Sequence, residues 1–291
     1  MPESPAPQLS FEFFPPRSAE QRVSFERARD RLAALSPAYM SVTFGAGGST
    51  RDRTRETVFG IVEATGIEAA PHISCMAESD DDIVKLLDDY QAHDIRRLVV
   101  LRGDRPSGSG AGVFPYAIDL VRFIRQRYGD TFHIEVACYP EHHPESRTPN
   151  DDLKHFHDKV AAGADGAITQ YFFSAESYFR FVEEVRSMGV GIPIVPGIMP
   201  ITNYTGLARF SQMCGAEIPL WIAKRLKAWD EAGDRESIGS FGEEVVTDLC
   251  RRLLGGGAPG LHFYTLNRAR ATLAVCRNLG LDRPTEAALG S

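Results

Sequence analysis

Cysteine is scarce in this chain of 291 residues, and its five cysteines follow no paired pattern. They stand far apart, with no C-x-x-C pair, at Cys75, Cys138, Cys214, Cys250 and Cys276. An odd number of isolated cysteines argues against a disulfide framework and against a zinc knuckle. The sequence therefore predicts a protein of the reducing cytoplasm.

Long apolar runs, a secretory leader and an excess of basic residues are also missing. No run approaches the roughly 20 apolar residues that span a bilayer, and the N-terminus lacks the basic and apolar regions of a signal peptide. The chain has 32 Lys and Arg against 39 Asp and Glu, for a net charge of −7. Nucleic acid and membrane are therefore not expected as partners. Residues 1–8 are predicted to form a disordered tail.

The glycine fingerprint of dinucleotide-binding folds is absent as well. A doubly wound sheet would carry G-x-G-x-x-G after its first strand, whereas here Pro15, Pro16 and Arg17 follow that strand. What is present is an alternation of strand-like and helix-like segments, which implies parallel β-α-β units. The strand-like runs are Ser10–Phe14, Tyr39–Phe44, Ala69–Cys75, Leu98–Arg102, His133–Tyr139, Ala167–Phe173, Ile192–Ile198 and Leu261–Leu266.

Eight such units in about this length are typical of a (β/α)8 TIM barrel. The segment 203–254 is long enough for more than one helix before the eighth strand. We therefore predict an α/β protein that forms a single (β/α)8 barrel domain over residues 1–291, with extra helices before the eighth strand.

Polar side chains stand near the end of almost every predicted strand. Active sites of such barrels lie at the carboxyl ends of the strands, so these residues are the candidate site. In chain order they are Glu12, Thr43, His72, Arg102 with Asp104, Tyr139, Gln170, and Asn267 with Arg268.

Glu12 is the most informative of them because it lies within an aromatic strand. Side chains alternate along a strand, so Glu12 and Phe14 share one face while Phe11 and Phe13 share the other. Burial would raise the pKa of such a carboxyl group and make it a proton donor near neutral pH. The other interpretation is a core glutamate satisfied by an arginine, and the strand alone favours neither.

Histidines and acidic residues around Tyr139 do not form a metal-binding pattern. His155 and His157 are two residues apart on a predicted helix and point in different directions. No H-E-x-x-H or facial-triad order is present, so no metal is expected. Reasoning from the residues alone leads to an α/β-barrel enzyme that binds a planar or phosphate-bearing ligand.

Nine short motifs together resemble the 5,10-methylenetetrahydrofolate reductase family in its short bacterial form. The resemblance runs from about Leu9 to about Asp282. The motifs are Phe11-Glu12-Phe13-Phe14-Pro15-Pro16, Val42-Thr43-Phe44-Gly45-Ala46, Arg51-Asp52-Arg53-Thr54, Pro71-His72-Ile73, Leu101-Arg102-Gly103-Asp104, Tyr139-Pro140-Glu141, Ile168-Thr169-Gln170, Pro196-Gly197-Ile198-Met199-Pro200 and His262-Phe263-Tyr264-Thr265-Leu266-Asn267-Arg268.

The resemblance implies a flavoprotein that holds FAD at the carboxyl ends of the strands. Arg102 and Lys159 would neutralise its diphosphate, and Asp104 would lie near the flavin pyrimidine edge and the folate. The implied FAD contacts are Thr43, His72, Arg102, Gly103, Asp104, Tyr116, Ala117, Ala137, Tyr139, His143, Asp152 and Lys159.

The implied reaction is the reduction of 5,10-methylenetetrahydrofolate to 5-methyltetrahydrofolate by a ping-pong mechanism, which supplies methyl groups for methionine synthesis. NADH or NADPH reduces FAD and leaves; the folate ring then opens to a 5-iminium cation that accepts hydride. Glu12 matches the general acid, Asp104 stabilises the cation, and Gln170 hydrogen-bonds the pterin. Phe210, on a mobile loop, and Arg268 complete the expected substrate contacts.

Two other functions remain open from the sequence. One is a flavin-free enzyme that transfers one-carbon units in the same folate pocket, and the other is a non-catalytic protein that binds folate or flavin. The family resemblance also implies a homo-oligomer.

Overall fold

Nine parallel strand segments form a nearly closed barrel in the computed structural model, which describes residues 7–44, 48–75, 79–103 and 113–282, without the side chains of residues 48–51. They are β1 (Gln8–Phe13), β2 (Tyr39–Val42), β3 (Ala69–Ser74), β4 (Arg97–Leu101), β5 (His133–Cys138), β6 (Gly166–Thr169), β7 (Ile194–Val195), β8 (Gly197–Ile198) and β9 (Gly260–Tyr264). Strand β1 begins inside the predicted tail of residues 1–8, at Gln8.

Ten helices accompany the strands in the described part of the chain. They are α1 (Ala19–Ala33), α2 (Gly48–Thr65), α3 (Asp80–Ala92), α4 (Ala117–Tyr128), α5 (Pro149–Ala161), α6 (Ala175–Ser187), α7 (Tyr204–Cys214), α8 (Leu220–Ala232), α9 (Arg235–Gly255) and α10 (Arg270–Asn278). Several begin after a short polar residue whose side chain accepts an amide hydrogen bond from the first turn, as Ser18, Ser79 and Thr148 do. Helices α7, α8 and α9 confirm the predicted insertion before the last strand.

The predicted seventh strand, Ile192–Ile198, is divided in two by Pro196. Proline has no amide hydrogen and cannot donate to a strand ladder. On one side of it β7 pairs with β6, and on the other β8 pairs with β9. The Pro196 carbonyl accepts a hydrogen bond from the His262 amide at 3.0 Å. Strands β7 and β8 are the two ends of the strand order and are separated by one residue in the chain, so the two edges of the sheet meet in a nearly closed barrel. This arrangement confirms the predicted (β/α)8 fold.

Strand β1 places aromatic side chains and polar side chains on opposite faces, as its alternation predicts. Phe13 packs edge-on against Phe25 of α1 at 5.4 Å between ring centroids. Ser10 and Glu12 point to the other face, into the barrel, where both approach the imidazole of His262. The barrel interior is therefore polar at this strand, and the helix-facing layer carries the apolar packing.

Charged groups at the amino end of the barrel are paired with one another. Arg97 on β4 contacts Glu68 at 3.0 Å and Glu135 of β5 at 2.8 Å. Its guanidinium also lies 4.6 Å from the ring centroid of Tyr39, a cation–π contact. These contacts pair the charges of Arg97, Glu68 and Glu135 with one another at the amino end of the barrel.

Candidate functional site

A cavity of about 810 Å³ opens at the carboxyl ends of the strands. It is large enough for a folate-sized or nucleotide-sized molecule. Nine of the residues predicted from the sequence line it: Glu12, Thr43, His72, Ala137, Tyr139, Gln170, Phe210, Asn267 and Arg268. The strand ends therefore bring together residues that lie more than 250 positions apart in the chain.

Glu12 is nearly buried and lies between two imidazoles. Its Oε2 atom is 3.2 Å from Nε2 of His72 on β3 and 3.5 Å from Nε2 of His262 on β9. Both are ion-pair distances, although neither imidazole has the geometry of a hydrogen bond to the carboxylate. The Nδ1 atom of His262 is 2.8 Å from the hydroxyl of Ser10. Ser10, His262, Glu12 and His72 thus form one cluster of polar groups inside the barrel.

The surroundings of Glu12 keep its carboxylate ionised. Burial opposes ionisation, but the interactions with His72 and His262 outweigh it and lower the pKa of Glu12 from 4.5 to about 2. The expectation of a raised pKa is therefore wrong, and the partners are histidines rather than the arginine of the alternative interpretation. In this state Glu12 accepts protons and does not donate them.

This lowered pKa predicts a stability that depends on Glu12 in a defined pH range. A carboxyl group with a depressed folded-state pKa stabilises the fold above its unfolded pKa, and the contribution is lost as the pH falls through the folded pKa. The difference in free energy of unfolding between wild type and Glu12→Gln should therefore shrink by about 2–3 kcal/mol between about pH 5 and about pH 2. Urea unfolding at a series of pH values measures it. A difference that stays constant across this range would show that the imidazoles do not hold the carboxylate ionised.

His262 and Tyr264 were not among the predicted site residues, although both belong to a quoted motif. They alternate on β9 with apolar neighbours, and their register places them opposite Ser10 and Glu12. The Tyr264 hydroxyl donates to the Thr169 carbonyl at 2.6 Å. His262 could have been predicted because it and Tyr264 are polar residues two positions apart in an otherwise apolar strand, so both point to the same face.

Asn267 joins the ends of β1 and β9. Its side-chain Oδ1 accepts from the Phe14 amide at 2.8 Å, and its Nδ2 donates to the Phe14 carbonyl at 2.9 Å. Leu266 and Asn267 both have left-handed backbone angles, with φ of 51° and 57°. Two successive non-glycine residues in this region are strained, which is common at functional sites. The two loops at this side of the cavity are therefore fixed to each other.

A second group of predicted residues lies around the ends of β4 and β5. The Tyr139 and His143 rings meet edge-on at 4.5 Å, and Asp152 accepts a hydrogen bond from the His143 amide at 3.0 Å. Lys159 is held inside the fold, where its ammonium group donates to the Ala137 carbonyl and burial lowers its pKa. A largely buried cation is costly unless an anion neutralises it, so Lys159 is a candidate for binding an anionic group.

Arg102 and its neighbours complete this region. The Arg102 guanidinium pairs with Glu145 at 2.5 Å, and Gly103 has a left-handed φ of 79°. Tyr116 and Ala117 lie at the start of α4. Neither these two nor Arg102, Gly103, His143, Asp152 and Lys159 of this second group are among the residues that line the cavity. Asp104, predicted to be catalytic, falls outside the described residues.

Helix α7 forms one wall of the cavity. Phe210, expected on a mobile loop, lies within this helix, and Met213 and Cys214 also line the cavity. The hydroxyls of Tyr171 and Ser211 are 2.9 Å apart and tie α7 to the end of β6. Within the described ranges no group of three or more His, Cys, Asp or Glu side chains is arranged to hold a metal ion, and no helix is long and apolar enough to cross a membrane.

The sequence matches a family model, and similar proteins carry the same description as that model. A family model for methylenetetrahydrofolate reductase matches residues 1–280. The chain is 42% identical over 273 residues to 5,10-methylenetetrahydrofolate reductase of Escherichia coli (strain K12), covering 94% of this chain and 90% of that one. It is 38% identical to the probable methylenetetrahydrofolate reductase (NADH) of Oryza sativa subsp. japonica, over 94% of this chain and 48% of the plant protein.

Solved structures share the barrel at much lower identity. A protein from Clostridium thermocellum described as binding two copies of 5-methyl-5,6,7,8-tetrahydrofolic acid superposes with a TM-score of 0.64 at 17% identity, covering 95% of this chain and 93% of that one. Dihydropteroate synthase from Xanthomonas albilineans gives a TM-score of 0.51 at 12% identity, covering 96% and 94%. At these identities the likeness concerns the fold alone.

Proposed function

The chain belongs to the methylenetetrahydrofolate reductase family, and from this premise we propose that it reduces 5,10-methylenetetrahydrofolate to 5-methyltetrahydrofolate with FAD and a nicotinamide coenzyme. The observation that carries the proposal is the pairing of Glu12 with two imidazoles inside a folate-sized cavity. Opening the five-membered ring of the folate requires a proton on a ring nitrogen, and this group is the proton-exchanging centre of the cavity.

Glu12 must gain a proton before it can act as the acid, because its lowered pKa keeps the carboxylate ionised. His72 and His262 lie within 3.5 Å of it and can exchange a proton with it. A folate that fills the cavity excludes water and strengthens the effect of burial, which raises the pKa of a carboxyl group. Substrate binding and protonation of Glu12 are therefore coupled in this proposal.

The second group of residues fits a flavin dinucleotide. The buried ammonium group of Lys159 and the guanidinium of Arg102 supply the two cations that a diphosphate requires, and Tyr139 and His143 supply ring faces beside them. Arg102 is already neutralised by an acidic side chain, Glu145, which a bound diphosphate would replace. When bound, FAD would carry the hydride between the nicotinamide and the folate. This cation pair favours the proposal over a flavin-free enzyme.

Loss of either cation should weaken flavin binding. Each charge-assisted hydrogen bond to a phosphate contributes about 1.5–3 kcal/mol, so Arg102→Gln and Lys159→Gln should each raise the Kd for FAD about 10- to 100-fold. Quenching of flavin fluorescence on titration of the flavin-stripped protein measures the Kd. Lys227→Gln is the matched control, because Lys227 lies on the surface of α8. Unchanged affinity in both variants would contradict the assigned diphosphate position.

Gln170 lines the same cavity as Glu12, which suits a ping-pong mechanism in which the nicotinamide and the pterin use one site in turn. The product would supply methyl groups for methionine synthesis, and the five free cysteines suit a cytoplasmic enzyme. A homo-oligomer remains a prediction. Oxidation of NADH or NADPH that depends on methylenetetrahydrofolate, with 5-methyltetrahydrofolate identified by chromatography, tests the function. Tight folate binding without turnover would favour a non-catalytic binding protein.

A further inference from the structure

Polar side chains continue from Glu12 toward the amino end of the barrel, along its inner face. Tyr39 of β2 pairs in register with Ser10 of β1, so both side chains point into the barrel, where both are buried. The Tyr39 ring stacks on the imidazole of His262, with 6.0 Å between ring centroids, and lies 4.6 Å from the guanidinium of Arg97. Tyr39 therefore connects the surroundings of Glu12 with the charged groups at the amino end.

Glu135 of β5 continues this polar interior to the solvent. One of its carboxylate oxygens, Oε1, accepts from Nη1 of Arg97 at 2.8 Å and lies 3.1 Å from Nε2 of His133. The other oxygen, Oε2, lies against Gly166, where a Cβ atom would approach it to 2.3 Å. The His133 side chain is 37% exposed, whereas that of Glu135 is 5% exposed. A solvent-exposed imidazole is therefore joined to a buried carboxylate at the amino end.

Tyr39 and Glu135 supply a complementary donor and acceptor inside the barrel. The Tyr39 hydroxyl and Oε2 of Glu135 are buried, and within the described ranges neither has the geometry of a hydrogen bond. Burial and, after it, the negative charge of Glu135 raise the pKa of Tyr39, while the nearby Ser10 hydroxyl opposes the rise. Tyr39 thus keeps its proton and lies within the electrostatic reach of both groups. Internal water commonly links buried polar groups of this kind, so a proton can pass between them.

We propose that His133, Glu135 and Tyr39 form a proton path that enters the barrel at its amino end and supplies the acid of the folate reaction. The path reaches Glu12 through the imidazole of His262, whose Nε2 atom is 3.5 Å from the carboxylate. The proposal rests on the proposed function, because only protonation of the folate uses up the proton on Glu12. Folate and flavin would occupy the carboxyl end of the barrel, so the amino end is the side that stays open to solvent.

Each group on the path passes on one proton for each proton that it accepts. Solvent protonates His133, and the proton held between His133 and Glu135 moves to the oxygen of Tyr39. The Tyr39 hydroxyl releases its own proton to the hydroxyl of Ser10, which lies 2.8 Å from Nδ1 of His262. His262 accepts a proton on Nδ1 and releases one from Nε2 to the catalytic carboxylate. One proton enters and one arrives, so the net charge of the path is unchanged.

Reoxidation of the reduced flavin by methylenetetrahydrofolate, followed over a single turnover in ordinary water and in heavy water, tests the path. The path variants are Tyr39→Phe, which removes only the hydroxyl, and His133→Ala, which opens a half-exposed position to added imidazole. The matched controls are Tyr178→Phe and His157→Ala. Tyr178 is also buried, and its hydroxyl donates to the Ile194 carbonyl at 2.8 Å. His157 of α5 is 39% exposed and lies 3.3 Å from a carboxylate, as His133 lies 3.1 Å from one.

Both path variants should slow reoxidation about tenfold, less than the contribution of about 10²- to 10⁴-fold from the acid itself, because Glu12 remains in place. The solvent isotope effect on this step should exceed that of wild type, since proton delivery then limits the rate. Imidazole should restore most of the rate to His133→Ala and leave the control variants unchanged. Flavin reduction by NADH should keep its wild-type rate in all four variants, which checks that their folds are intact.

Three results would overturn the path while leaving the proposed function intact. Wild-type reoxidation rates and isotope effects in both path variants would show that the proton reaches Glu12 from the carboxyl end. Slowed reoxidation in His133→Ala that imidazole does not restore would show that His133 is not the point of entry. Equal slowing of flavin reduction and reoxidation in Tyr39→Phe would show that Tyr39 only supports the structure. Failure of the folate to reoxidise the flavin of the wild-type protein would instead contradict the proposed function itself.

Discussion

Glu12→Gln should slow the folate half-reaction by about 10²- to 10⁴-fold, the range that a positioned general acid contributes, and leave flavin reduction by NADH little changed. Glutamine keeps the size of the side chain but has no proton to donate and no charge to hold His72 and His262. Reduction of the flavin by the nicotinamide involves no proton on the folate, so it does not need this group. Separate anaerobic measurements of the two half-reactions give the two rates.

Glu56→Gln is the matched control for this variant. It makes the same substitution at an exposed position of α2, outside the cavity, and both half-reactions should keep their wild-type rates. Equal slowing of both half-reactions by Glu12→Gln would show that Glu12 shapes the cavity as a whole. A folate half-reaction that is not slowed would show that another residue supplies the proton.

Gly197→Ala should destabilise the fold by about 3 kcal/mol or more, because the position has no room for a methyl group. A Cβ atom on Gly197 would lie 2.2 Å from the Thr169 carbonyl oxygen and 2.6 Å from the Tyr264 ring. Gly197 begins β8, where the two ends of the sheet meet, and Tyr264 lines the cavity. The substitution should therefore disturb both the pairing of β8 with β9 and the position of Tyr264 in the cavity.

Urea unfolding of wild type and variant measures this effect. Gly60→Ala provides the control, since a Cβ on Gly60 of α2 would have no atom within 4 Å. An alanine in that helix interior should stabilise the protein by about 0.5–1 kcal/mol. If Gly197→Ala lowers the free energy of unfolding no more than Gly60→Ala does, the contact of Gly197 with Thr169 and Tyr264 does not restrict this position.

The fold could be predicted from the sequence because buried parallel strands and helices differ in the periodicity of their apolar residues. The division of the seventh strand at Pro196 was not predicted from the sequence. A mostly apolar run of seven residues fits a single strand as long as its pairing partners are unknown. The missing amide hydrogen of Pro196 is visible in the sequence, but only the barrel explains why β7 and β8 pair on opposite sides.

Several residues that line the cavity could be predicted from the sequence, but the electrostatics around Glu12 could not. The alternation of side chains along the first strand predicted which residues share a face with Glu12. Because active sites lie at the carboxyl ends of barrel strands, Thr43, His72 and Gln170 were expected in the same site. The sign of the Glu12 pKa shift depends on two imidazoles, His72 first and then His262, which is 250 residues away in the chain. The register of β1 with β9 brings His262 beside Glu12. Long-range pairing of this kind cannot be derived from local pattern.

The central claim is that one cavity joins a flavin site to a proton-exchanging group at Glu12. The most direct test is an anaerobic stopped-flow record of flavin absorbance in the wild-type protein, mixed first with NADH and then with methylenetetrahydrofolate. The account predicts that the absorbance bleaches in the first mixing and returns in the second, with formation of 5-methyltetrahydrofolate. A flavin that NADH reduces and the folate fails to reoxidise would contradict it.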